Sequence, residues 1–587
     1  MCGISAIFGR SWTREQLAAM HDAQRHRGPD AEGTYVDPDG MCGLAHNRLS
    51  IIDLSPAGRQ PLTSNDGSLH VMLNGEIYNY LELRQELGSR YKFRTSTDTE
   101  VIIAAIQHWG ASATLDRLIG MFALVVWDER TKTGFAARDR FGVKPLYYSR
   151  TREGTIFLSS EIKAIHAAGF VREPDSATWS TYLTYGLTDC TDRTFWKNIN
   201  SLRAGHFLTW KDKHVEIRRW YSLEDRVGRE PDRRDSQAVA VEYLELLEES
   251  VRLRFRADVP VGINLSGGLD SSTLLSLVQR TQDNDESVKA FTFISGDDRY
   301  DELPWVQQMI GQTRHPLVVS ELSSAEVPDL AASVQKFQDE PYGGLPTLAY
   351  AKLFETARAN DVKVLLDGNG MDEQWAGYDY YAASDNGQPA PTVQGSKDAP
   401  VRPDCLDAEF RQLATRVEYP RPFEDRVRDL QYRDAIFTKI PRAMRFNDRI
   451  SMRSSTELRE PFLDHRLFEL AMRQPTDRKI SNGTRKKMLR DIVRDLLPGQ
   501  VSEAPKRPLQ TPQREWLRGP LRGWTEDLVD QALSGPFAGW LQKAKVEREL
   551  DSFLKGNSDN SFYVWQWISL GLGSDTTTSR TEKAMSV

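Results

Sequence analysis

The eight residues Leu265-Ser266-Gly267-Gly268-Leu269-Asp270-Ser271-Ser272 constrain this chain more than any other stretch. An apolar, β-leaning run at 259–265 leads into them and a helix-forming run at 273–279 follows. A glycine-rich loop therefore joins a strand to a helix N-terminus. The adjacent glycines let backbone amides approach an anion closely, the serines add hydroxyl donors, and the helix start adds partial positive charge. This is a phosphate cradle. It is not a Walker A loop, because no G-x-x-x-x-G-K-[ST] occurs in the chain.

Downstream, strands are expected at 288–294, 315–319 and 362–366, with helices at 301–310 and 345–359. Repeated β–α units imply a parallel sheet with helices on both faces and ligands at the carboxyl ends of its strands. The strand at 362–366 runs into Asp367-Gly368-Asn369-Gly370-Met371-Asp372-Glu373, a loop expected beside the cradle. Asp270 and Asp372 offer hard oxygen ligands for Mg²⁺ on a pyrophosphate.

The other end of the chain begins Met1-Cys2-Gly3-Ile4. Removal of Met1 would give Cys2 a free α-amine, with an intrinsic pKa of ~8, able to act as base for its own thiol. Motifs follow in order: the donor-rich turn Arg25-His26-Arg27-Gly28-Pro29-Asp30, a strand at 45–53 carrying Arg48, and a strand ending at Asn74-Gly75-Glu76 with a helix after it. Asp98 then stands in a helix cap at 95–100, a strand is expected at 120–128, and 137–148 reads as strand, turn and strand. Such alternation suggests two sheets with covering helices.

A length of 587 residues allows two or more domains. The charged stretch 225–236 shows no core-forming period, so the expected boundaries are 1–210, a linker at 211–236, and 237–573 opening on an amphipathic helix at 239–254. A disordered tail is expected at 574–587. The net charge of −7 argues against a broad nucleic-acid-binding face. Cys2, Cys42, Cys190 and Cys405 are scattered, with no C-x-x-C pair, and suggest neither zinc nor disulfides. Apolar runs such as 121–127 are too short to cross a bilayer, and no signal-peptide pattern is visible, so a cytoplasmic protein is expected.

The cradle resembles the PP-loop of ATP pyrophosphatases, and the N-terminal motifs resemble the class II (Ntn-type) glutamine amidotransferase domain. Together, over about 560 residues, the chain resembles glutamine-hydrolysing asparagine synthetases. The resemblance implies an α/β protein: an N-terminal αββα sandwich followed by a PP-loop domain with a parallel sheet. It implies Cys2 as nucleophile, Asn74 and Gly75 as oxyanion hole, and Arg48, Ile52, Glu76 and Asp98 around the glutamine substrate. It places ATP on Leu265, Ser266, Gly267, Gly268, Asp270, Ser271, Ser272, Asp367, Gly368 and Lys486, with Mg²⁺ on Asp270 and Asp372. Asn369, Glu373 and Arg449 fall on the acceptor side. The turn Arg138-Asp139-Arg140-Phe141-Gly142 takes a structural role near the domain interface, and a homodimer is compatible with the family.

One position departs. Aspartate-using members carry glutamate where this chain has Asn369, and serine where it has Asp367. An amide can neither act as a base nor pair with a cation, so the expected acceptor is a carboxylate other than free aspartate. A true asparagine synthetase, an enzyme closing an internal amide as in β-lactam synthesis, and a non-catalytic scaffold are the competing readings. The charged, proline-containing insertion at 382–433 is expected to form an acceptor lid or a surface helix pair.

Overall fold

The computed structural model describes residues 1–282, 287–385, 399–503 and 511–578. The first half is built from two six-stranded antiparallel sheets. Strand Gly3–Phe8 is central in one and Leu69–Ile77 lies next to the edge strand of the other. Side chains alternate along a strand. Ile4, Ala6 and Phe8 accordingly fill the layer between the sheets, while Ile7 turns outward to helix Arg14–Asp22. In Leu69–Ile77, Met72 points between the sheets and Val71 and Leu73 face helix Asp98–Trp109. Cys2 continues the inward parity of the first strand and Asn74 that of the second, so the sandwich brings both to one end of its interior.

Strand Cys42–Arg48 stops short of the expected 45–53, because the chain folds back around the Arg48 guanidinium. The expected linker also needs correction. Residues His214–Arg219 form a strand paired along its length with His206–Lys211, and so extend the second sheet past 210. Charged residues on this exposed edge hide the strand in the sequence; four of its six residues are polar or charged.

The second half holds a five-stranded parallel sheet. In spatial order its strands are Leu317–Glu321, Ala290–Ile294, Val261–Asn264, Val364–Leu366 and Glu457–Arg459. Numbered along the chain, that order is 3-2-1-4-5, and its direction reverses between strands 1 and 4. The crevice at such a reversal is where open α/β sheets bind ligands. Here it is flanked by the loop after Asn264 and the loop after Leu366, which start level because Ile263 pairs with Leu366. Strand 5 pairs Arg459 with Leu366, so Glu460 leaves the sheet beside Asp367.

Helix Ser236–Arg254, capped by Asp235, leads into this sheet. Within the insertion, Arg426–Arg433 is packed inward, with Arg428 and Gln431 buried, rather than forming a surface pair; 386–398 lie outside the described residues. Helix Phe562–Thr578 runs past the expected start of the tail at 574, and 579–587 are likewise outside.

The halves are joined by buried ion pairs. Arg27 donates to the Cys2 carbonyl at 3.0 Å, to Glu161 at 2.8 Å and in bidentate fashion to Asp448 at 2.8 and 3.1 Å. In the turn 138–142, Asp139 accepts the Phe122, Phe141, Val143 and Lys144 amides, and Phe141 packs on Phe468 of the second half. No helix among the described residues is long and apolar enough to cross a membrane.

Candidate active site

Two centres emerge. In the first, the Cys2 amide donates to Asn74 Oδ1 at 3.0 Å, and Asn74 is fully buried. Burial raises the Cys2 thiol pKa, against the pull of the nearby α-ammonium, a Leu49 backbone hydrogen bond and Arg48. Gly75 has φ 142°, and a side chain there would collide with the Met121 carbonyl. Only glycine fits, which leaves its N–H next to the Asn74 amide group.

Arg48 is buried and donates to the carbonyls of Ser55, Ile52 and Asp53 at 3.0, 3.1 and 2.5 Å. Among the described residues no carboxylate lies within ion-pair distance of it. Asp98 accepts the Ile77 amide at 2.9 Å, and burial raises its pKa to about 6. Glu76 is raised well above the usual carboxylate range by burial, then by Glu457 and Asp98; Arg459 lies 3.7 Å from it. The centre therefore offers a thiol, an amide and an N–H, a cation and two carboxylates.

Met1 changes its surroundings. The α-ammonium is buried and pairs with Glu457 Oε2 of the second half at 2.9 Å. With Met1 in place the Cys2 nitrogen is a peptide amide. Its removal would free that nitrogen as an amine and leave Glu457 to Arg459, 2.6 Å away.

The second centre is the crevice of the parallel sheet, a cleft of about 510 Å³. Gly267 takes φ 74° with the Trp305 side chain against its Cα, as a tight loop requires. The Ser266 amide and hydroxyl meet Ser271 Oγ at 3.2 and 3.1 Å, and Gly268 starts helix Leu269–Thr281. Leu265 continues the strand with a hydrogen bond to Phe291, and among the described residues the buried Ser272 hydroxyl has no hydrogen-bond partner.

Lys486 Nζ lies 2.7 Å from both Asp270 oxygens and 2.7 Å from Asp372 Oδ1. Burial works against its charge, but the two carboxylates overcome that and raise its pKa. Arg485, Lys487, Arg490 and Arg494 complete a basic wall; of this segment the sequence singles out only Lys486 as a site residue.

Among the described residues no three His, Cys, Asp or Glu groups surround one metal point. Two converging carboxylates facing a phosphate-sized basic cleft are nevertheless the donor set with which Mg²⁺ is shared with phosphate oxygens. Asp270 and Asp372 fit that role.

The loop after Leu366 closes the crevice. Gly368 lies against the start of the cradle helix and its amide donates to Asp367 Oδ1 at 2.7 Å. Asn369 Nδ2 donates to Asp367 Oδ2 and to Glu460 Oε1, each at 3.1 Å. Glu373 is buried and accepts from the Tyr378 hydroxyl at 2.6 Å.

Arg449, expected on the acceptor side, belongs elsewhere. It is fully buried, donates to the Ser160 carbonyl at 2.9 Å and lies 3.3 Å from Glu161. Its helix, Lys439–Arg453, presents Asp448 and Arg449 to the first half, so the arginine is committed to the domain junction.

Residues 1–221 match the glutamine amidotransferase domain family, and residues 242–575 match the asparagine synthase family. Asparagine synthetase [glutamine-hydrolyzing] 1 of Bacillus subtilis is 27% identical, over 96% of this chain and 95% of the relative. Amidase chry2 of Gibberella zeae is 30% identical, over 91% and 92%. Asparagine synthetase [glutamine-hydrolyzing] 3 of Bacillus subtilis is 29% identical, over 90% of each.

Proposed function

This chain belongs to the glutamine-hydrolysing asparagine synthetase family, and we propose that it transfers glutamine nitrogen to an adenylated carboxylate other than free aspartate. The observation that carries this reading is Asn369, held between Asp367 and Glu460 where aspartate-using members carry glutamate. The full-length likeness to a protein named an amidase supports it.

In this reading Cys2, with Met1 removed, attacks the glutamine side-chain amide through its thiolate. The Asn74 amide and Gly75 N–H take the charge of the tetrahedral oxyanion, where fixed donors act most strongly. Arg48, with its three carbonyl partners on one side, binds the α-carboxylate in bidentate fashion. Asp98 binds the α-ammonium, Ile52 shapes the pocket, and Glu76 lies near. Ammonia then crosses the junction between the halves.

At the second centre ATP phosphates lie on the 265–272 loop and Lys486. Mg²⁺, held by Asp270 and Asp372, would neutralise phosphate charge when bound. The acceptor carboxylate displaces pyrophosphate, ammonia displaces AMP, and the products are an amide, AMP, pyrophosphate and glutamate. The acceptor lies between Asn369 and Glu373.

The test is pyrophosphate release from Mg-ATP and glutamine, with and without L-aspartate, followed by a panel of uronic acids and peptide carboxylates. Aspartate should give no asparagine while a member of the panel drives pyrophosphate release. Stoichiometric asparagine and pyrophosphate from aspartate would overturn the acceptor assignment and make this an asparagine synthetase, as the Bacillus relatives are named.

A further inference from the structure

Glu460 does not fit a purely structural role. It is 2% exposed, and among the described residues no group donates to its Oε2 within hydrogen-bond distance. A buried carboxylate oxygen without a donor is costly to keep. Its other oxygen is fixed by Asn369 Nδ2, which shares its two hydrogens between Glu460 and Asp367. A glutamate at 369 could not do this; it would crowd a third carboxylate against two that already repel each other. The neutral amide at 369 and the carboxylate at 460 therefore make sense together.

Position adds a second argument. Glu460 follows the strand that pairs with Val364–Leu366, so it stands beside the loop after Leu366. It also lines a narrow cavity whose other wall is Tyr78, Gly120 and Met121 of the first half. Glu460 thus stands between the loop proposed to hold the acyl-adenylate and the wall that the first half presents at the junction.

Resting on the amidotransferase reading, we infer that Glu460 is the base of the amide-forming step, taking over at a new position the carboxylate that Asn369 lacks. Ammonia adds through its lone pair to the acyl carbon, giving a tetrahedral carbon that bears O⁻ and NH₃⁺. Glu460 Oε2 takes one proton from that nitrogen. The C–O bond to the phosphate breaks, AMP leaves with the electron pair, and the neutral amide remains; the proton returns to solvent from Glu460. Burial followed by Asp367 raises its affinity for a proton and Lys144 lowers it; Tyr350 stands near, and Arg140, Arg254, Asp139, Asp464 and His465 line the same cavity.

The test uses the full chain with Mg-ATP and ammonium chloride, and as acceptors L-aspartate, D-glucuronate and the remaining panel. Three rates are followed: glutamate release from glutamine, ATP–pyrophosphate exchange, and amide formation. Glu460→Gln should leave the first two within about threefold of the parent and lower amide formation by at least ~100-fold, the usual worth of a general base. Adding Asn369→Glu to Glu460→Gln should recover at least ~10-fold of that loss.

Amide formation within threefold of the parent in Glu460→Gln overturns the inference. So does a parallel fall of all three rates, which marks a structural role, or a double variant with no recovery. A parent chain that forms no amide from any acceptor overturns the amidotransferase reading itself, and this inference with it.

Discussion

The two centres hold their charges in different ways. Around Cys2, Arg48 and Asp98 are tied to backbone, Arg48 to three carbonyls and Asp98 to the Ile77 amide. At the crevice they are tied to each other, with Lys486 clasped between Asp270 and Asp372. Backbone partners do not move when substrate arrives, so the first centre is set by the strands and stays set. An ion pair can exchange partners, so the second is stabilised in the free protein by contacts that phosphate and Mg²⁺ would replace. A buried thiol site inside a sandwich suits the first device and an open cleft the second.

The contrast can be broken most sharply at the nucleophile. Cys2→Ala should lower glutamate release by at least ~1000-fold, since removing a nucleophile removes the covalent route, and leave ammonium-driven pyrophosphate release intact. Loss of both activities would mean that the centres are not separable in function.

Lys486→Ala should do the converse. Pyrophosphate release should fall ~100-fold, the cost of one lost transition-state donor, with glutamate release preserved. With the lysine gone, Asp270 and Asp372 lose the cation 2.7 Å from each, so added Mg²⁺ should raise the melting temperature of this variant more than that of the parent.

Arg449→Met asks whether this residue serves the acceptor or the junction. Removing one partner from a buried ion pair costs about 3–5 kcal/mol. A lower melting temperature and more glutamine hydrolysed per amide are expected, with acceptor KM unchanged; a shift in acceptor KM alone would return Arg449 to the acceptor side.

The smallest effect is in pH. Asp98 has its pKa raised to about 6, so its carboxylate is charged above that value and protonated below it. A role in holding the glutamine ammonium predicts that KM for glutamine rises about tenfold per unit as pH falls below about 6. A flat KM between pH 5 and 7 would exclude Asp98 from that role.

Much of this was legible in the sequence wherever the signal is local. The strand, loop and helix at 261–281 carry their own turn chemistry, and Asn74 and Gly75 lie near the end of strand Leu69–Ile77, just before a turn and a helix. What stayed hidden depends on register between distant segments. Glu460 is 91 residues from Asn369, and nothing in either segment announces that Arg459 will pair with Leu366. Arg27 reads as a polar turn until Asp448 is seen to be its partner, 421 residues away. Arg449 was misplaced for the same reason: a motif names a helix, but its packing decides which face meets which half.

Arg27 carries one more consequence. The same guanidinium touches the carbonyl of Cys2, a carboxylate of its own half and a carboxylate of the other. Severing the chain between the halves would strand a buried cation with part of its compensation gone, and would strip Asp448 of its counter-charge. Heat should therefore unfold the two halves in one transition, and either half expressed alone should aggregate more readily than the whole. The two catalytic units are, in thermodynamic terms, a single cooperative body.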